Sequence, residues 1–304
     1  MRAKIGDRTV VASVSGGKDS TAMALHLKEQ GIPYRAVFID TGWENAATYR
    51  YVGEYLPGVI GPIEWIGARV PLPEDLEEVA LYFEDRLGHY SAMVRTILIK
   101  GDFPRRFRRW CTSTLKAKII EDYLKSLEDE PINTVGIRAA ESKAREKLTE
   151  WEYSDSYDCD IWRPLIRWSE QDVIDAHTRH GVTPNPNYLA GATRVGCWPC
   201  VFARKTEIRH ISETDPDRID FLEDLERVIT GRARARYLRL HGKPLARPLS
   251  WFSSRAKNQS MPIREAVEWS RTKRGGVQFE LFSAPSRDRG CMRWGLCDVG
   301  TEDK

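Results

Sequence analysis

The stretch VVASVSGGKDSTAMALHL, residues 10–27, passes from a β-branched run through two glycines into a stretch of helix formers, with a lysine and an aspartate at the joint. No other part of the chain restricts its fold so tightly. Residues 9–14 have the composition of a buried strand, and residues 20–30, with Met23, Leu25 and Leu27, that of a helix. A strand that turns directly into a helix leaves backbone N–H groups unpaired at the helix N-terminus, where the peptide dipoles also favour negative charge. Gly16 and Gly17 let that backbone approach an anion closely. Lys18 adds a positive charge, Ser15 and Ser20 add hydroxyl donors, and Asp19 is placed to hold a Mg²⁺ that bridges phosphates. Pyrophosphate or a phosphosulfate suits such a loop. The sequence is neither GxxxxGK[ST] nor GxGxxG, and the bland alternative is a glycine turn carrying a solvated Lys-Asp pair.

The rest of the first 210 residues continues the alternation of strand and helix expected of a parallel sheet. Residues 34–39 form a second apolar run leading into Asp40-Thr41-Gly42, and residues 132–138, INTVGIR, form a third. Residues 59–66 suggest a further strand, and residues 161–181 a strand end, an N-cap at Ser169 and a helix closed by Gly181. Helices are expected over 45–55, over 73–87, and after Cys111, where Leu115, Ile119, Ile120 and Leu124 recur. The expected fold is α/β: a twisted parallel sheet with helices on both faces, Rossmann-like, with a nucleotide at the carboxyl ends of its strands. Beyond Cys200 the pattern changes to charged helices, acidic over 217–230 and basic over the next fifty residues. We therefore expect a nucleotide-binding and catalytic domain over 1–210 and a small, mostly helical, basic region with a cysteine-containing tail over 211–304.

A hydrophobic content of 41% over 304 residues is enough for a large core. No stretch approaches the ~18 apolar residues of a membrane span, and the N-terminus has no leader-like apolar region. A cytoplasmic protein without a membrane partner is expected. Its six cysteines would stay reduced there, so clustered spacing signals a metal or chemistry.

SGGKDS at the first strand-to-helix turn resembles the PP-loop of the adenine nucleotide alpha hydrolase superfamily. FIDTGWE, residues 38–44, is similar to the Asp-Thr-Gly segment of the phosphoadenosine phosphosulfate reductase branch of that superfamily. GIRAAES, residues 136–142, with Arg145, is similar to the segment that supplies an arginine to the nucleotide. Residues 163–200 resemble the branch's Pro-Leu-x-x-Trp, Asp-Val, Pro-Asn-Pro and Gly-Cys-x-x-Cys series in order. The resemblance covers residues 8–210, and four ordered motifs are far more specific than any one. It implies that Ser15, Gly16, Gly17, Lys18, Asp19, Ser20, Asp40, Thr41, Gly42 and Arg138 bind an adenine nucleotide, ATP or an adenylyl sulfate. It also implies α-phosphate-linked sulfur chemistry, in which we expect Lys18, Asp19 and Cys111 to act, with Mg²⁺ accompanying ATP and a sulfur or electron donor protein as partner.

Cys197-Trp198-Pro199-Cys200 has the CxxC spacing by which two thiolates grip one metal, and thiolates select zinc or iron-sulfur clusters. Cys111 stands in RRWCTSTLK, where cluster-bearing relatives carry a Cys-Cys pair; here the first member is Trp110. GCMRWGLCDVG offers Cys291 and Cys297 near the C-terminus. The expected cofactor is a 4Fe-4S cluster on Cys111, Cys197, Cys200 and one of Cys291 and Cys297. The rival is structural zinc on Cys197, Cys200, Cys291 and Cys297, and a third option is an isolated redox CxxC. The simpler reductases of the family carry their nucleophile in a Glu-Cys-Gly tail, a tripeptide this chain lacks. Cys159 reads as a small buried apolar residue.

FPRRFRRWC sets Arg105, Arg106, Arg108 and Arg109 beside Cys111, where guanidinium forks suit a substrate's anionic end. Residues 231–280 hold twelve Lys or Arg against three Glu, a surplus that makes the segment a nucleic-acid candidate. Trp251, Phe252 and Trp269 within it suit base stacking, or equally the core of a folded helical region. His177 and His180, at i and i+3, are read as surface or core residues because no third metal ligand accompanies them. Three functions follow: a sulfonucleotide reductase, an ATP-dependent adenylating and thiolating enzyme of nucleic acid, and a nucleotide-sensing regulator without turnover.

Overall fold

The computed structural model describes residues 2–254, 259–272 and 294. Its centre is a six-stranded sheet made of β1 (Val10–Val14), β2 (Arg35–Asp40), β3 (Ile63–Gly67), β4 (Ile132–Val135), β5 (Trp151–Ser154) and β6 (Cys159–Trp162). The spatial order is β3-β2-β1-β4-β6-β5, parallel throughout except that β5 runs antiparallel to β6. Ala12 of β1 lies opposite Ala36 on one side and Thr134 on the other.

β1 is apolar at nearly every position because both of its faces are covered. Val10, Ala12 and Val14 face α1 (Lys18–Glu29) through Ala22, Met23, Ala24, Leu25 and Leu27, whereas Val11 packs with Val37, Ile120, Leu124 and Cys159. Cys159 is buried there as expected. Further along the chain lie α2 (Glu74–Leu87), α3 (Ala92–Lys100), α4 (Lys118–Lys125), α5 (Glu170–Arg179) and α6 (Pro186–Leu189). Then follow α7 (Lys205–Thr214), α8 (Pro216–His241), the antiparallel pair β7 (Phe252–Ser254) and β8 (Gln259–Met261), and α9 (Ile263–Ser270). α4 covers the Val11 face, and α1 and α5 cover the other.

A second core lies beyond the sheet and runs across residue 210. The indole of Trp43 stacks on Trp251 at 4.7 Å and meets Phe221 at 5.9 Å, and Phe83 meets Phe221 at 5.3 Å. Leu115, Trp198, Leu222, Ile263 and Val267 belong to the same cluster. Trp251 and Phe252 are therefore buried, and Trp269 is partly covered with the Lys205 ammonium 4.6 Å from its ring. The base-stacking alternative for Trp251 and Phe252 is overturned: their rings fill a core. Among the described residues no helix is long and apolar enough to cross a membrane.

Candidate nucleotide site

The chain leaves β1 on one side of the sheet centre to form β2 and β3, and the strand on the other side is β4. The carboxyl ends of β1 and β4 thus make the crevice where strand order reverses, the place where open α/β sheets hold ligands. Two loops meet in it. Ser15-Gly16-Gly17 links β1 to α1, and Gly136-Ile137-Arg138 follows β4.

Gly16 has φ +71°, and a Cβ there would sit 2.7 Å from Val52 Cγ2. Gly17 is the N-cap of α1 and supplies no side chain to its first N–H groups. Ser20 closes the loop on itself: its hydroxyl accepts from Ser15 N at 3.0 Å and donates to Gly17 O at 3.0 Å. From outside, Asn185 Nδ2 donates to Gly16 O at 3.1 Å, Lys18 N donates to the Tyr188 hydroxyl at 3.2 Å, and His177 Nε2 lies 3.0 Å from Lys18 O. Burial lowers the pKa of His177, so a neutral imidazole donates to that carbonyl. His180 instead contacts Glu29 at 2.8 Å, and the two histidines serve separate neighbours. The indole of Trp294 packs on His177 at 5.1 Å and Tyr188 at 5.8 Å between ring centroids.

Charge at the loop is balanced internally. Lys18 Nζ stands 3.5 Å from Asp19 Oδ2 and 3.5 Å from Glu170 Oε1, and Arg138 Nε donates to Asp19 Oδ1. Arg138 is buried, and the backbone before it is pressed against α1: a Cβ on Gly136 would lie 2.7 Å from the carbonyl oxygen of Asp19. Lys18, Asp19 and Arg138 are therefore brought together as the sequence suggested. Gly136 opens the Gly-Ile-Arg segment and Asn185 stands in the Pro-Asn-Pro motif, whereas nothing local in the sequence marks Glu170, His177 or Tyr188 as site residues.

Asp40, Thr41 and Gly42 end the neighbouring strand. Asp40 Oδ1 accepts from Gly42 N and from the Tyr49 hydroxyl, both at 2.8 Å. Gly42 has φ +67°, and its missing Cβ would fall 2.3 Å from Ser91 Cα, so this glycine is required where β2 meets α3. Thr41 is buried with its hydroxyl unpartnered among the described residues.

Cys111, Cys197 and Cys200 all pack, partly buried, against the second core. Cys111 and Cys200 lie close enough for their charges to interact, Lys116 reaches the Cys197 thiol, and Lys116 Nζ is 3.8 Å from the buried Glu44 Oε1. Arg194 reaches Cys200. Burial pushes the Cys197 thiol up to about 12 and raises that of Cys111 as well. Both are protonated at neutral pH, Cys197 even with the Lys116 ammonium beside it. The arginine stretch packs beside them, with Arg106 and Arg109 at 5.6 and 5.5 Å from the Phe202 ring, while Phe107 is fully exposed. An all-sulfur donor set has the right chemistry for zinc or an iron-sulfur cluster, but three sulfurs leave a tetrahedral set one short. Among the described residues no group of three or more His, Cys, Asp or Glu is arranged to hold a metal ion. Cys291 and Cys297 lie outside the described residues.

A mostly parallel α/β sheet with a glycine loop, a lysine and a buried arginine at its switch point defines a PP-loop nucleotide-binding protein. The phosphoadenosine phosphosulfate reductase domain matches residues 9–56 and 91–203, and the chain belongs to that family. It is 31% identical to an uncharacterized 37.8 kDa protein of Escherichia phage 186, across 95% of this chain and 96% of that one. It is 26% identical to an adenosine 5'-phosphosulfate reductase of Streptomyces coelicolor, over 64% of this chain and 72% of that protein. Among solved structures, phosphoadenylyl-sulfate reductase from Candida auris, a phosphate complex, aligns with a TM-score of 0.45 at 19% identity, covering 64% of this chain and 84% of that one.

Proposed function

We propose that the crevice between β1 and β4 binds an adenine nucleotide, ATP or an adenylyl sulfate, and that the protein catalyses sulfur chemistry at the group linked to its α-phosphate. One observation carries this reading: Lys18 and Arg138 converge at the N-terminus of α1, both held there by Asp19. An incoming pyrophosphate or phosphosulfate takes the place of the Asp19 and Glu170 carboxylates opposite those cations and accepts from the N–H groups that Gly17 leaves uncapped. Freed from Arg138, Asp19 has the chemistry to hold Mg²⁺ with ATP. The Asp40-Thr41-Gly42 turn closes the next strand end.

Cys111, Cys197 and Cys200, with Cys291 or Cys297, are the proposed ligands of a 4Fe-4S cluster; in the rival assignment Cys197 and Cys200 join Cys291 and Cys297 around zinc, without Cys111. When bound, such a group would stabilise the thiolates of Cys111 and Cys197, which burial otherwise keeps protonated. Lys116, against Cys197 and Glu44, holds positive charge beside those sulfurs. In the reductase reading a cysteine thiolate attacks the sulfur of an adenylyl sulfate, the sulfur–oxygen bond to phosphate breaks, and the nucleotide leaves with that electron pair. The second reading is adenylation of a nucleic-acid oxygen by ATP, release of pyrophosphate, and displacement of AMP by sulfur. The acid-free run of arginines after residue 230 favours it.

Anaerobically purified protein separates these readings. Sulfite from an adenylyl sulfate in the presence of a thiol reductant, which displaces it from the cysteine S-sulfonate as a disulfide forms, supports the reductase, and pyrophosphate from ATP only when nucleic acid is present supports the second reading. Saturable ATP binding with neither product assigns a regulator. Absence of nucleotide binding overturns the proposal as a whole. A visible absorption band with iron and sulfide supports the cluster, and a colourless protein containing zinc removes it.

A further inference from the structure

The last part of α8 carries nothing into the core. Its first half is anchored by Ile219, Phe221, Leu222, Leu225 and Ile229, all buried, whereas none of residues 231–247 is buried. Arg232, Arg234, Arg236, Arg239, Lys243 and Arg247 are all exposed there, with no aspartate or glutamate among residues 231–247. Among the described residues one of the six has a carboxylate partner, Arg232, at 3.2 Å from Asp75. Like charges at i and i+4, such as Arg232 and Arg236, destabilise a helix by about 0.2–0.5 kcal/mol per pair. Stability alone therefore does not account for the pattern.

We propose that residues 231–247 are a docking surface for duplex DNA, held through its phosphates. Charge complementarity calls for a polyanion, and the shape of the element narrows the choice. An α-helix about 10–12 Å across enters the roughly 12 Å major groove of B-form DNA but not the deep, narrow one of A-form RNA. At 3.6 residues per turn Arg232, Arg236 and Arg239 fall on one side of α8 and Arg234 on the opposite side. A helix lying in a groove meets a phosphate backbone on each flank, which matches this two-sided placement. Guanidinium forks bind phosphate bidentately, and residues 231–247 contain no Asn or Gln to read an adenine edge. Binding is thus expected to be largely independent of base sequence. The surface is separate from the β1–β4 crevice and stands whichever nucleotide that crevice takes.

The test is fluorescence anisotropy of the full-length protein with a labelled 20-base-pair DNA duplex as the salt concentration is raised. Four neutralised phosphates give a slope of about −3.6 in log affinity against log salt, or about 150-fold weaker binding between 50 and 200 mM. The triple variant R234A/R236A/R239A puts good helix formers at exposed positions, so thermal unfolding and nucleotide binding should match wild type. Its slope should fall to about −0.9, with at least about tenfold weaker binding at 50 mM. Three results overturn the proposal: no DNA binding at 50 mM salt, a triple variant with unchanged affinity and slope, or equal binding to duplex RNA. Stronger binding to phosphatidylserine vesicles than to DNA also overturns it, and would assign the exposed Leu238 and Leu240 to a membrane surface. Nucleotide binding measured in the same samples shows whether the crevice itself is intact, so failure of one reading is distinguishable from failure of the other.

Discussion

Asp19 sits between the two cations that an anionic ligand would need, Lys18 and Arg138, and so acts as their internal counter-charge. Replacing it with Asn removes that competitor without changing the side-chain shape. Asp19→Asn is expected to bind Mg²⁺-free pyrophosphate about tenfold more tightly than wild type, a difference of about 1.4 kcal/mol, while turnover of ATP with Mg²⁺ is lost. Lys18→Ala should weaken binding and turnover together. Titration calorimetry beside a product assay checks both; weaker pyrophosphate binding by Asp19→Asn would show that the carboxylate does not compete. Gly42→Ala tests the adjoining turn. Its Cβ would collide with Ser91 Cα at a φ of +67°, and a loss of about 3 kcal/mol is expected in urea unfolding. Gly58, with nothing within 4 Å of its absent Cβ, should accept alanine with no loss. Lys18, Asp19 and Arg138 were legible because the strand-to-helix junction and the Gly-Ile-Arg segment mark them locally. Glu170, His177 and Tyr188 were not, since they reach the loop from about 150 residues away in sequence and only the packing of α5 and α6 on α1 reveals it.

At the scale of elements, Glu226 joins α8 to the segment after it. Its two carboxylate oxygens accept from Trp251 N at 2.8 Å and Ile263 N at 2.9 Å, tying both ends of the β7–β8 region to one helix. Burial raises its pKa to about 7 from an ordinary 4.5. Between those values the native state binds the extra proton, so stability is full below about 4.5 and declines as pH rises to about 7. The decline is of order 3 kcal/mol. Glu226→Gln loses one acceptor and should be less stable at pH 4.5, but without this slope. Urea titrations of both proteins at pH 4.5, 6 and 7.5 test it: the wild-type advantage should shrink steadily, and a constant difference would mean that Glu226 does not titrate in this range. Among elements, β1, β2 and β4 were readable as β-branched runs bounded by glycine or turn residues. β5 was not, because an exposed edge strand reading Trp-Glu-Tyr-Ser lacks an apolar run. The helix expected over 45–55 extends instead through Pro57, which stands in the first turn of Leu56–Ile60, and the following strand starts at Ile63. α3 went unread because Ala92–Lys100 is apolar nearly all round, a pattern with no amphipathic stripe to mark it.

Across the whole molecule, the sequence places a change of character near residue 210, and the reductase domain match ends at residue 203. Composition and packing are different properties here. The acidic-to-basic shift is a property of the surface, whereas Trp43, Phe83 and Leu115 before that point share a buried cluster with Phe221, Leu222, Trp251 and Ile263 after it. Arg218 reinforces the joint: its Nε donates to Trp198 O at 2.7 Å, and its guanidinium lies 4.1 Å from the Trp43 ring centroid. Buried aromatic side chains of this size each contribute several kcal/mol, comparable with the whole net stability of a domain. A chain ending at residue 210 would leave Trp43 and Phe83 facing water. Such a fragment is predicted to be insoluble, or to keep helical far-UV circular dichroism while losing near-UV signal and cooperative unfolding. The full chain should unfold in one transition, with nucleotide raising its midpoint. A fragment 1–210 that unfolds cooperatively and binds nucleotide as tightly as the full chain would instead make the compositional boundary a structural one. In that case the cluster around Trp43 would act as an interface between two independently stable units.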